Sequence, residues 1–339
     1  MQRPIVVAAA SIAFVLSVAT PIGAMATAQR TFVASYGNDA NPCSIALPCR
    51  SFAAAVLQTA GGEVIVLDSA GYGPVTITQA VSIIAPAGVY AGISVPTLGT
   101  GIVVRSVGIV RLSGLTITGR VPGNFPASMG IDLQVGSTVH IERTTVSGFF
   151  NSALNIRLDQ STPVQITIDA SAFIYNTGNG IFATSGLDSV TIEINNSRFD
   201  GNAVGMNIGD NIRGVISGSS FNYNTTGFRA QNSAGALNNV TLRDCVISRN
   251  SFFGIDTGGD IGETNATMVQ VTDCEISDNV EFGIIPGRGS VVTVSNTTLT
   301  RNGSAAVSLS SGGIANTFSD NRVYANGVDG TFTATITKQ

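Results

Sequence analysis

From the middle of the chain onward, apolar side chains fall into a repeating frame. An asparagine recurs at Asn176, Asn202, Asn224, Asn250, Asn279, Asn302 and Asn326. Three residues before each one stands Phe173, Phe199, Phe221, Ile247, Ile276, Leu299 or Val323. Eight before stands Ile168, Ile194, Ile216, Leu242, Val271, Val294 or Phe318. Ten before is mostly Ile or Val, as at Ile166, Ile192, Val240, Val269 and Val292. The slot five before is compact: Ser171, Ser197, Ser219, Cys245, Cys274, Thr297 and Asn321. Alternation by two within each pair of inward slots is the period of a half-buried strand. Between the eighth and fifth slots the parity slips over Asn, Asp, Ser and Gly, which marks a corner between two strands.

After each asparagine comes glycine followed by an apolar residue, as at Gly180-Ile181, Gly205-Met206, Gly227-Phe228, Gly254-Ile255 and Gly283-Ile284. These pairs open a third strand. Three short strands and three turns per repeat, each repeat too small to bury its own apolar face, predict an all-β solenoid, a parallel β-helix. Strands of successive coils then pair about 4.8 Å apart, so like residues stack on like. The near-duplicate stretches Asp244–Asn250 and Asp273–Asn279 become one corner, strand and turn in two successive coils. The recurring asparagines are expected to form a ladder of side-chain amides along the stack.

Two earlier coils keep the apolar slots and lose the asparagine, with Phe149 and Arg120 in its place. Strands around Glu63–Asp68, Val75–Thr78 and Val81–Pro86 open the solenoid, for roughly ten coils by the repeat logic. The segment Ser51–Ala60 reads as a helix, N-capped by Ser51 and rich in alanine, placed to cover the open end of the core. The polar C-terminal segment is placed to shield the other end.

Composition narrows this picture. Of 339 residues, 44% are hydrophobic and 11% charged, and 39 glycines favour strands with many turns over a helical bundle. The formal net charge is −4 and no basic tract occurs, which argues against a nucleic-acid partner. Arg3, an apolar run ending before Pro21, and the small residues Ala24, Ala26 and Ala28 have the pattern of an export signal. A membrane anchor would need a longer run. The expected organisation is a signal peptide over 1–28, a cap with its helix over 29–62, and a β-helix with a C-terminal capping segment over 63–339. The mature chain has no further stretch long enough to span a bilayer, so it is expected outside the cytoplasm, extracellular or periplasmic. Cys43 and Cys49, close together and flanked by prolines, are expected to form one local disulfide. Cys245 and Cys274 fall on neighbouring coils within reach of each other, as stacked buried thiols or as a strained bridge.

The order of these parts resembles the right-handed parallel β-helix proteins of the pectate-lyase-like superfamily. The stretch from Gly37 to Val56, followed by Glu63–Ile77, is similar to the cap and first coil of exported bacterial members. The resemblance covers about residues 30–339 and implies the right-handed form, in line with the general handedness of parallel crossovers. It implies no single activity, since the superfamily holds lyases, hydrolases, esterases, epimerases and adhesins.

The chemistry is sparse. Neither the Arg-x-Pro-x-x-Arg motif of pectate lyases nor the Gly-His-Gly of polygalacturonases is present. The single histidine, His140, lies between inward Val139 and Ile141 and should point to solvent. The densest acidic stretch is the extended loop bearing Asp256, Asp260 and Glu263, whose carboxylates suit calcium but match no EF-hand or glycine-aspartate repeat. Asp244 and Asp273 share an outward corner slot with Asn196, Asn296 and Asp320, where turn-forming chemistry accounts for them. Tyr175 and Tyr223 precede their asparagines and are candidates for the surface, though not on adjacent coils. The expectation is a non-catalytic surface or secreted protein that binds polysaccharide or a cell-envelope component through a lateral face. The competing readings are a polysaccharide lyase or glycoside hydrolase built on Arg213, Arg229 or Arg288 beside Asp256, Asp260 and Glu263, and a structural spacer or adhesin. No cofactor other than a possible calcium is implied.

Overall fold

The computed structural model describes residues 28–119, 127–136, 138–158, 164–186, 190–231, 236–258, 266–310 and 312–337. The chain winds into a parallel β-helix. Each coil lays one strand on a long face, one on a second face and one on a third, then returns to the long face. Among the described residues the long face has 13 strands, from Ala28–Val33 to Ala334–Thr335, and the third face has 10, from Val75–Ile77 to Ala305–Val307. The second face is a five-stranded and a four-stranded ladder joined by single bridges at Arg198 and Ser220. Every pairing is parallel and links the same slot in consecutive coils, as in Ile192↔Gly214 and then Gly214↔Val240.

Apolar slots face inward throughout. Ile166, Ile168, Ile192, Ile194, Val240, Leu242, Val269, Val271, Val292 and Val294 are all buried. Phe173, Phe199 and Phe221 stack inside with ring centroids 5.6 and 4.9 Å apart. The last coil departs from the frame. Val294 pairs with Thr317, while Thr298 pairs with Arg322, so one extra residue sits in that corner. Thr317 takes the buried slot and Phe318 is half-exposed, a shift the repeat frame misses.

Two corners explain the polar positions. Between the long and second faces, Gly114, Arg143, Ala170, Asn196, Gly218, Asp244, Asp273, Asn296 and Ser319 all have positive φ. Asp and Asn tolerate this left-handed backbone better than most residues, which accounts for Asp244 and Asp273. In the last coil the position passes to Ser319 rather than Asp320. Between the second and third faces the left-handed residue immediately precedes each asparagine.

The asparagines form the expected ladder. Asn176 Nδ2 donates to Asn202 Oδ1 at 2.8 Å, Asn224 Nδ2 to Asn250 Oδ1 at 3.2 Å, and Asn250, Asn279 and Asn302 continue the chain to Asn326. Each Oδ1 also takes the backbone N–H of the previous asparagine, and Phe149 N–H bonds Asn176 in the same way. Buried amides are thereby satisfied. The glycine that opens the third strand is fixed by this ladder. A Cβ at Gly227 would lie 2.7 Å from the Gly254 carbonyl oxygen and 3.0 Å from Asn250 Nδ2.

At the N-terminal end the helix spans Phe52–Gln58, with Ser51 Oγ accepting from Ala54 N–H. Thr59 and Ala60, read as helical, instead begin the strand Thr59–Val66. Ala28–Val33 pairs with that strand, so the capping region contributes to the long face. Cys43 and Cys49 are bonded as a disulfide. Among the described residues no helix is long and apolar enough to cross a membrane. The export segment lies outside the described residues apart from Ala28, as does Arg120.

Candidate functional site

On the long face, alternation turns every second side chain outward, and parallel register aligns them in columns. Thr191, Glu193 and Asn195 lie beside Arg213, Val215 and Ser217, which lie beside Asn239, Thr241 and Arg243. These residues from three consecutive coils line a shallow depression of about 520 Å³, floored by Ile192 and Gly214. Gly214 occupies an inward slot filled by Ile or Val in the adjoining coils, and a Cβ there would lie 2.6 Å from the Ile192 carbonyl oxygen.

The charges in the depression are of both signs. Arg213 and Arg243 are exposed at opposite ends of their strands, and Glu193 is exposed between them. Asn195 Nδ2 donates to Glu193 Oε1 at 3.2 Å, and Arg243 Nη2 to Ser217 Oγ at 3.4 Å. Arg243 Nε also lies 3.5 Å from Asp244 Oδ2, both side chains being more than half exposed. Glu193 is the single carboxylate of the lining.

The candidates named from sequence are distributed differently. Asp256 is buried on the third face and pairs with Arg229, whose Nε donates to Asp256 Oδ2 at 3.0 Å. Asp256 Oδ1 takes the Gly258 N–H at 2.9 Å, and Arg229 Nη2 reaches Thr226 Oγ1 at 3.4 Å. That carboxylate is thus occupied in holding the strand end and the start of the following loop. Asp260 and Glu263 lie outside the described residues. Arg213 is on the long face rather than beside Asp256, and Arg288 is exposed on the connection after Phe282–Ile285. His140 faces outward between Arg111 and Thr167 on neighbouring strands. Among the described residues no group of three His, Cys, Asp or Glu side chains is placed to hold a metal ion. Sequence reasoning singled out Arg213 but not Glu193, Asn195, Asn239, Thr241 or Arg243. The parallel register was the signal that would have aligned them.

A family described as the right handed beta helix region matches residues 100–260 and 257–335. The chain belongs to this family. A search of curated protein sequences finds no match. Among solved structures, this β-helix is similar to pectate lyase Pel9A, with a TM-score of 0.65 and 17% identity over 88% of this chain and 79% of that one. It is also similar to XylC in complex with xylose (TM-score 0.58, 11% identity, 83% and 69% covered). A third is the tailspike protein gp49 of Acinetobacter baumannii bacteriophage Fri1, a capsular polysaccharide depolymerase (0.52, 14%, 82% and 57%). Together these likenesses show the fold, a right-handed parallel β-helix.

Proposed function

We propose that this protein is an exported β-helix that binds an acidic polysaccharide along its long face without cleaving it. The observation that carries this reading is the depression spanning three coils, with Arg213 and Arg243 set apart on its lining. Two guanidinium groups at a fixed separation suit carboxylates repeated along a glycan, because arginine binds carboxylate as a planar fork. The neutral polar groups Asn195, Asn239 and Thr241 offer partners for sugar hydroxyls. A single carboxylate speaks against glycoside hydrolysis, which uses two at a set separation. That a pectate lyase and a capsular polysaccharide depolymerase share this fold supports a polysaccharide as the ligand class.

Calorimetric titration with polygalacturonate and alginate tests this. Saturable binding is expected, and the double variant R213A/R243A should lose at least tenfold per arginine, taking about 1.4 kcal/mol for each charge-assisted contact. No binding to either polymer, or unchanged binding by the variant, would sink the assignment. Release of unsaturated uronides, read by ultraviolet absorbance, would overturn its non-catalytic part.

A further inference from the structure

The corner between the second and third faces carries a second exposed column, away from the long face. Its residues, one per coil, are Gly148, Tyr175, Gly201, Tyr223, Arg249, Asp278, Arg301 and Ala325, all with positive φ. Bulky side chains rarely adopt this backbone, and glycine takes it without steric cost. Yet tyrosine occupies it twice, at φ 55° for Tyr175 and 59° for Tyr223. Neither ring serves the core. Tyr175 is 64% and Tyr223 61% exposed. Unfavourable backbone conformations held at exposed positions concentrate at functional sites.

Both rings stand at the surface, each with one neighbour against it. Tyr175 lies between the coils of Gly148 and Gly201, and its ring reaches over Gly201, where a Cβ would come within 2.6 Å of Cδ1. Tyr223 has Gly201 on one side. On the other, the Arg249 guanidinium lies over the ring, 5.6 Å from its centroid, and donates to the Tyr223 hydroxyl at 3.0 Å, so the opposite ring face is the one offered to a sugar. Arg301 is bonded to Asp278 at 2.7 and 2.8 Å. The column therefore presents two tyrosine rings separated by a glycine coil, followed by hydrogen-bonding groups.

We infer that this corner is a second glycan-binding site, a stacking platform for β-1,4-linked pyranose chains. Two coils separate the tyrosines by about 9.6 Å. An extended β-1,4-linked chain repeats by disaccharide, so alternate rings present the same face at a matching interval. Tyrosine supplies a flat apolar face with a polar tip, suited to the axial C–H face of an equatorially substituted sugar.

The chain contains no tryptophan, so the emission of its six tyrosines reports binding directly. Cellohexaose and chitohexaose are the probes, differing in the 2-acetamido group while sharing the stacking face. At least one is expected to change tyrosine emission saturably. The variant Y175G/Y223G should lose binding at least tenfold and melt at the same or a higher temperature, since glycine relieves the backbone. The variant Y175F should keep binding, and saturating polygalacturonate should not displace the hexasaccharides, which separates this corner from the long face. Failure of both probes, undiminished binding by Y175G/Y223G, or a lowered melting temperature for that variant would overturn the inference.

Discussion

The slot that holds Cys245 and Cys274 is a hydrogen-bonding position in each coil from Thr144 to Asn321. Ser171 Oγ accepts the Thr144 N–H at 3.2 Å and donates to the Asp169 carbonyl at 2.8 Å. Ser197 and Ser219 repeat the pattern, and Thr297 Oγ1 accepts from Cys274 N–H at 3.3 Å. Cys274 does the same with sulfur, accepting the Cys245 N–H at 3.4 Å and donating to the Thr272 carbonyl at 3.1 Å. The two cysteines are free and buried. The side-chain hydrogen bond with the Cys245 thiol, together with burial, pushes the Cys274 thiol up, outweighing the Cys245 N–H, so it stays protonated at neutral pH. The sequence showed a compact inward slot, but not that its occupant satisfies a corner N–H. Replacing Cys274 by alanine is expected to cost about 1–3 kcal/mol, because a buried donor loses its acceptor. The C274S variant keeps an acceptor and should lose less than half as much in denaturant titration. Equal losses would mean that the slot matters only for its volume.

Strands and corners were legible because their residues repeat. A parity slip reveals a corner wherever Asn, Asp, Ser or Gly takes the left-handed backbone. Phe318 was misplaced because one added residue moves the inward slot to Thr317 without changing the composition of the corner. The long-face depression was illegible for a different reason: outward residues such as Glu193 and Arg243 obey no burial rule, and only register brings them together. The N-terminal cap offers a test at this scale. Asp68 takes bonds from the Ser35 hydroxyl and the Tyr72 hydroxyl, which hold its carboxyl below the usual range. Burial pushes Asp39 up, but bonds from the Ser51 hydroxyl and the Ser51 and Arg50 N–H groups more than offset it. A carboxylate with a lowered folded pKa stabilises fully above its unfolded value, 3.8 here, and the contribution fades as pH falls through the folded value. The melting temperature should therefore drop below about pH 4. The D39N/D68N variant should melt lower at pH 7 and show a flatter acid limb. An acid limb identical to wild type would place the acid-sensitive groups elsewhere.

At the scale of the whole molecule, a solenoid gives a ligand a rigid, flat face and a modest local charge rather than an enclosing pocket. The formal net charge is −4, yet the depression carries Arg213 and Arg243 against Glu193. These two fields have different ranges. At physiological ionic strength the Debye length is about 8 Å, so a polyuronate on the long face senses mainly the local arginines. At 0.01 M it extends to about 30 Å, and the remaining acidic surface then repels the same polymer. Raising the salt to 1 M contracts it to about 3 Å and screens the arginine contacts as well. Polyuronate affinity is thus expected to peak at intermediate salt, falling several-fold toward 1 M and failing to rise on dilution to 0.01 M. Removing the local repulsion with E193Q should raise affinity at every salt concentration without moving that peak. Titration at three ionic strengths reads all of this. An affinity independent of salt would deny the ionic contacts, whereas a steady rise down to the lowest salt would mean that the arginine field outreaches the chain's net charge.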